Sequence, residues 1–120
     1  MPSFFQDGEF YMTSYITGPT HVLLQLAFAP QPIAAPSLVE LPAVTSDAER
    51  TVDPQQIRSA VLAASASTNA ELGTSFHPAV IRYVADDACR YDIYAHCAAL
   101  LIRRLAAGES FEPATMQKGI

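Results

Sequence analysis

Residues 10–17 alternate in character. Phe10, Met12 and Ile16 fall on one side, and Tyr11, Thr13, Tyr15 and Thr17 on the other. That period of two predicts a strand with one apolar face and one face of hydroxyl-bearing side chains. Just upstream, residues 4–11 read Phe-Phe-Gln-Asp-Gly-Glu-Phe-Tyr. Asp7-Gly8 between aromatic residues is a strong short-range hairpin signal, because glycine accepts the positive φ that such turns need. After the break at Thr17-Gly18-Pro19-Thr20, Val22, Leu24, Leu26 and Phe28 alternate with Leu23 and Ala27. Apolar residues on both sides suit an inner strand covered on both faces, with a helix the less favoured alternative. Prolines at 30, 32, 36 and 42 then exclude helix around them and leave room for a short strand at residues 38–41.

The second half switches to helical spacing. Asp53 is an N-cap, Pro54 suits the first helical position, and Gln56 completes a capping box. Ile57, Val61, Ala64, Thr68 and Leu72 recur on one stripe until Gly73, so the expected helix spans 54–72. Its other faces are small (Ala60, Ala63, Ser65, Ala66, Ser67), which allows a neighbour to approach closely. Residues 76–85 fit either period; their β-branched and aromatic content favours a strand near 79–85 over the start of a long helix. Asp86-Asp87 offers a fresh N-cap for a last helix over about 87–107, with Tyr94, Cys97, Ala98, Leu101 and Leu105 as its apolar stripe. Arg103 and Arg104 complement its carbonyl end, and Gly108 ends it. The fold class expected is α+β: a small, mostly antiparallel sheet with both helices packed on one face. Residues 1–110 form a single domain in this reading, and 111–120 a mobile tail.

Composition narrows the class of partner. Twelve acids against seven bases give a net charge of −5 over 120 residues, and half the residues are apolar. With mean hydropathy +0.16, this describes a packed globule; at this length folding hides roughly two thirds of the unfolded surface, enough for a core without disulfide or metal. An acidic chain whose bases cluster no further than Arg103-Arg104 lacks the positive field that nucleic acid or an anionic membrane requires. Five acids and no base precede Arg50, whereas seven of each follow from it, so the whole net charge sits in the first half and suits a basic partner or simple solubility. The charge-free stretch 10–39 is interrupted by Gly18, Pro19, Gln25, Pro30 and Pro32, too often for a span of ~20 apolar residues. With no secretory signal at the start, a soluble, cytoplasmic chain is expected. Cys89 and Cys97, ~12 Å apart along one helix, lie beyond the ~7 Å that a disulfide tolerates, and both read as reduced.

Candidate chemistry is sparse. Asp86 and Asp87, at a strand end, are weak ligand candidates for a divalent cation or a shared proton, against a simpler role in capping the last helix. Asp92 and His96, four apart, share a helix face and could form an acid–base pair or a surface ion pair. His21 and His77 are solitary. No metal-ligand spacing, phosphate loop or nucleophile elbow occurs, so neither metal nor cofactor is expected. The face of Tyr11, Thr13 and Tyr15, with His21 beyond the next turn, has the composition of a protein interface unless the last helix or the proline-rich segment covers it.

Residues 64–67 (Ala-Ser-Ala-Ser) and 87–94 (Asp-Ala-Cys-Arg-Tyr-Asp-Ile-Tyr) are similar to segments of the Mu-like phage head–tail connector family. That resemblance implies a mostly helical, non-catalytic subunit of a ring between portal and tail, and assigns no functional residue here. The residues themselves favour a non-enzymatic protein–protein interaction domain, immunity- or inhibitor-like, binding another protein through its acidic, aromatic N-terminal half. A homo-oligomer is compatible with this, and a small enzyme using Asp86, Asp87 or Asp92 with His96 is the third reading.

Overall fold

The structure, a computed structural model, describes residues 3–17, 20–41, 52–84 and 90–113. The glycine signal does produce a hairpin. β1 (Ser3–Asp7) and β2 (Phe10–Thr17) run antiparallel with Asp7 opposite Phe10, so Gly8 and Glu9 form the connection. Gly8 takes φ 61° and Glu9 needs no positive φ, the pattern of a two-residue turn with glycine at its first central position. β3 (Thr20–Ala29) lies antiparallel to β2 on one side and to β5 (His77–Val84) on the other, which puts the most apolar strand in the middle. Residues 77–84 are therefore sheet, the favoured of the two readings. Pro78, which has no N–H to donate, sits where the β3–β5 register shifts between Ala27 and Phe28.

β4 (Ser37–Leu41) runs parallel to β5, and α1 (Pro54–Leu72) provides the crossover that a parallel pair requires. β6 (Glu112–Pro113) adds a short parallel pairing to β1, giving the order β4-β5-β3-β2-β1-β6. The architecture is the expected α+β one: a mixed sheet, mainly antiparallel, with two helices on one face. A mostly helical subunit, as the connector resemblance implied, is overturned by these strands, although residues 64–67 and 91–94 are helical.

α1 begins and ends where its caps place it. The Asp53 carboxylate accepts from the Gln55 N–H at 3.0 Å, and Gly73 closes the helix at φ 68°. The reciprocal half of the capping box is supplied differently. The Asp53 N–H donates to the Tyr91 hydroxyl at 2.9 Å, so a side chain from the second helix takes the place expected for Gln56. Past Gly73, buried Asn69 fixes the entry to β5. Its amide donates to the Phe76 carbonyl at 2.9 Å, and its oxygen accepts from the Thr74 hydroxyl at 2.8 Å and the Phe76 N–H at 3.2 Å.

α2 (Tyr91–Ala106) starts later than the expected residue 87. Its N-cap is Arg90, which makes no side-chain capping bond, and Asp92 in the first turn supplies the negative charge that favours a helix N-terminus. Asp86, Asp87 and Cys89 lie outside the described residues. Val22, Leu24, Leu26, Ile81 and Tyr83 from the sheet meet Ile57 and Val61 of α1 and Tyr94, Cys97, Ala98 and Leu101 of α2 in one core. Cys97 is buried there as a free thiol. Of the expected tail, residues 111–113 are packed, Phe111 edge-on to Phe4 and Tyr11 before β6 pairs with β1, and residues 114–120 lie outside the described residues.

Candidate functional site

Alternation in the strands sorts the candidates onto two faces. Register aligns Phe4, Thr13, Leu24 and Tyr83 across the sheet, so Tyr11, Thr13 and Tyr15 share the side of the helices. Thr13 has no exposed surface at all (0%). Tyr15 is half-buried with its ring edge-on to His96 of α2, centroids 5.7 Å apart. Tyr11 lies between Phe28 and Phe111, centroids 6.2 and 5.0 Å away, in an aromatic chain that Arg104 caps over Phe4 at 4.4 Å. Of the two alternatives for this face, the structure shows the last helix on it. His21 pairs through its backbone with Ile16, and its side chain lies outside the described residues, as do Asp86 and Asp87.

The Asp92–His96 pair is not assembled. The Asp92 carboxylate is taken by Arg90, whose Nε and Nη2 donate to it at 3.1 and 3.0 Å, while His96 turns to Tyr15. That hydrogen bond, and the guanidinium charge behind it, lower the Asp92 pKa from its ordinary value. Nor do the acids of the first half gather into one patch among the described residues. Asp7 and Glu9 flank the first hairpin, whereas Glu40 stands on the opposite edge strand and accepts from the Tyr83 hydroxyl at 3.5 Å. No group of three or more His, Cys, Asp or Glu among the described residues is placed to hold a metal ion. No described helix is long and apolar enough to cross a membrane.

The other face of the sheet was not singled out by sequence. β3 was expected to be covered on both sides; on the side of Leu23, Gln25 and Ala27, Ala27 is buried at 4% exposure and Leu23 and Gln25 are half-buried, with both described helices on the opposite side. Both helices lie on the side of Leu24 and Leu26, whose side chains share one core with Ile57, Val61, Tyr94 and Leu101. Across the open side runs one row of paired residues: Val39, Arg82, Gln25, Met12, Phe5 and Glu112, one from each strand in order. A second row, Val80, Ala27 and Phe10, lies beside it. Phe5, Phe10, Met12 and Val80 are half-buried and Val39 is 39% exposed. Compared with known proteins, the chain matches no family model, no curated protein and no solved structure. Function must therefore be argued from this surface itself.

Polar side chains on the open face order it. The Arg82 guanidinium lies 3.5 Å from the centroid of the Phe10 ring and donates to the Gln25 side-chain oxygen at 3.3 Å, and the Gln25 amide contacts the Met12 sulfur at 3.3 Å. A chain of contacts thus holds Met12, Gln25, Arg82 and Phe10 in fixed positions above the strands. Cavities also open elsewhere among the described residues. One of about 370 Å³ adjoins Tyr11, Phe28 and Phe76, and one of about 330 Å³ lies under the proline-rich segment between Ile33, Leu62, Ser65 and Pro78. The signal that could have found the open face was present in the alternation of Phe10 and Met12 with the tyrosines; which of two usable faces the helices would cover was not.

Proposed function

We propose that this chain is a non-enzymatic protein-binding module whose contact surface is the open sheet face. The observation that carries the reading is the row Val39, Arg82, Gln25, Met12 and Phe5 with Phe10 and Val80 beside it: apolar and aromatic side chains, pre-ordered by an arginine, with no described element over them. Protein interfaces combine aromatic residues, methionine and arginine in this way, with lysine scarce, whereas a solvated sheet face carries alternating charges. Fixing the arginine beforehand reduces the entropy lost on binding. The test is photo-crosslinking in cells with p-benzoylphenylalanine at Met12, on the open face, and at Ser59, exposed on α1. Adducts are expected from position 12 alone. Absence of adducts there, or an identical set from position 59, would remove the basis of this reading.

A further inference from the structure

The cavity of about 370 Å³ on the helix side of the sheet has walls and a mouth of different chemistry. Three half-buried rings line it: Tyr11 from β2, Phe28 from β3 and Phe76 from the turn into β5. Phe28 is common to both ring contacts, standing 5.9 Å from Phe76 at 72° and 6.2 Å from Tyr11 at 40°. Rings inclined in this way are not stacked, so ring faces, the negative side of the aromatic quadrupole, are left uncovered by one another. The mouth is exposed and carries Glu9, Pro30 and Ser75. The Glu9 carboxylate has no hydrogen-bond or ion-pair partner among the described residues, and no arginine or lysine among them lines the cavity. We infer that this cavity is a binding site for a quaternary ammonium group, as carried by a trimethylated lysine side chain or a free choline-type cation.

Charge decides the sign of the ligand, and the walls decide its kind. A cation over ring faces is attracted by their quadrupoles, and Glu9 adds a full negative charge at the mouth of a chain whose net charge is −5. The protein already seats cations on rings elsewhere: Arg82 lies 3.5 Å from the centroid of Phe10, and Arg104 4.4 Å from that of Phe4. A primary ammonium brings three N–H donors that aromatic walls cannot satisfy, which is costly on burial. A quaternary ammonium has no donor to satisfy and is the cation that aromatic cages recognise. Size agrees, since about 370 Å³ stands near the lower end of ligand pockets, roughly 300–1,000 Å³, and suits a compact head group on a short stem. Two walls are held from behind. Asn69 bonds both backbone groups of Phe76, at 2.9 and 3.2 Å, and Phe111 packs on Tyr11 at 5.0 Å, so little ordering remains to be done on binding. The cavity lies on the opposite side of the sheet from the open face and stands whether or not that face is an interface.

The experiment is an NMR titration of the full chain, following backbone amide shifts at constant ionic strength. The probes are tetramethylammonium, choline and Nα-acetyl-trimethyllysine methylamide, beside 3,3-dimethylbutanol, the uncharged carbon isostere of choline, each from about 0.1 to 50 mM. The three cations are expected to move the amides of Tyr11, Phe28 and Phe76 with dissociation constants on the order of 1–10 mM, and the isostere to bind about ten-fold more weakly. A lysine derivative that binds several-fold tighter than choline identifies a protein side chain as the ligand; any other order assigns the site to free cations. Glu9→Gln, at an exposed turn position, should weaken cation binding about three-fold. Phe76→Leu, which keeps an apolar wall without its π-face, should weaken it about ten-fold. The fold of Phe76→Leu is checked by circular dichroism; if it unfolds, Glu9→Gln and the isostere comparison on the wild-type chain carry the test. Equal binding of choline and its isostere, shifts confined to residues away from the three rings, cation binding indifferent to Glu9→Gln, or no shift at the highest concentration overturns the site.

Discussion

Replacing Thr13 with valine is expected to stabilise the protein. Thr13 is 0% exposed, between Phe4 on β1 and Leu24 on β3 beneath the helices, and its hydroxyl has no hydrogen-bond partner among the described residues. Stripping water from a hydroxyl without replacing its bond costs about 1–3 kcal/mol, and valine is nearly the same shape with a methyl where the oxygen stands. Both residues are β-branched, so strand preference changes little. Thr13→Val should therefore gain about 1–2 kcal/mol, read in urea as a midpoint raised by about 0.5–1 M at an m-value near 2 kcal/mol per M. Thr13→Ser is the control: it keeps the lone hydroxyl, deletes a buried methyl and should lose about 1 kcal/mol. Equilibrium unfolding by circular dichroism checks both. A destabilised Thr13→Val would show that the hydroxyl is bonded in solution, and the account of this face as dry core would fail.

Asn69→Ala removes three hydrogen bonds and strands the Phe76 backbone groups, so a loss of about 2–4 kcal/mol is expected in the same assay; a loss under about 0.5 kcal/mol would show that the turn into β5 is held by something else. Tyr91→Phe keeps the ring stacked on Tyr94 and deletes the acceptor for the Asp53 N–H, which should cost about 0.5–1.5 kcal/mol, with unchanged stability refuting the inter-helix cap. Burial first, and the nearby Glu40 carboxylate second, raise the Tyr83 phenol above its ordinary value of 10.0. Its contribution is thus complete below pH 10 and falls as pH rises through the raised value; Tyr83→Phe should flatten the alkaline limb of stability, and an unchanged limb would contradict the assignment.

Local chemistry in the chain determined most of the elements. Gly8 turns the first hairpin, Asp53-Pro54 and Gly73 bound α1, and alternation marks β2, β3 and the strand at residues 77–84. These features act over a few residues, through φ preference, a missing N–H or side-chain period, and can be read without knowing what lies across the fold. Three matters were decided only by tertiary structure. The start of α2 at Tyr91 follows from where it meets α1, since Tyr91 serves as the cap partner of Asp53, 38 positions earlier. Residues 111–113 are held because Phe111 finds Phe4 and Tyr11, aromatic partners far away in sequence. Most consequential is the choice of face on β2. A period of two distinguishes two sides of a strand but does not say which the helices will cover, and both sides here carry large apolar or aromatic groups. That Tyr11, Thr13 and Tyr15 lie on the side of α2 and its flanks, and Phe10 and Met12 on the other side, follows from the shared register with Leu24 and Tyr83, a relation among strands that no single segment contains.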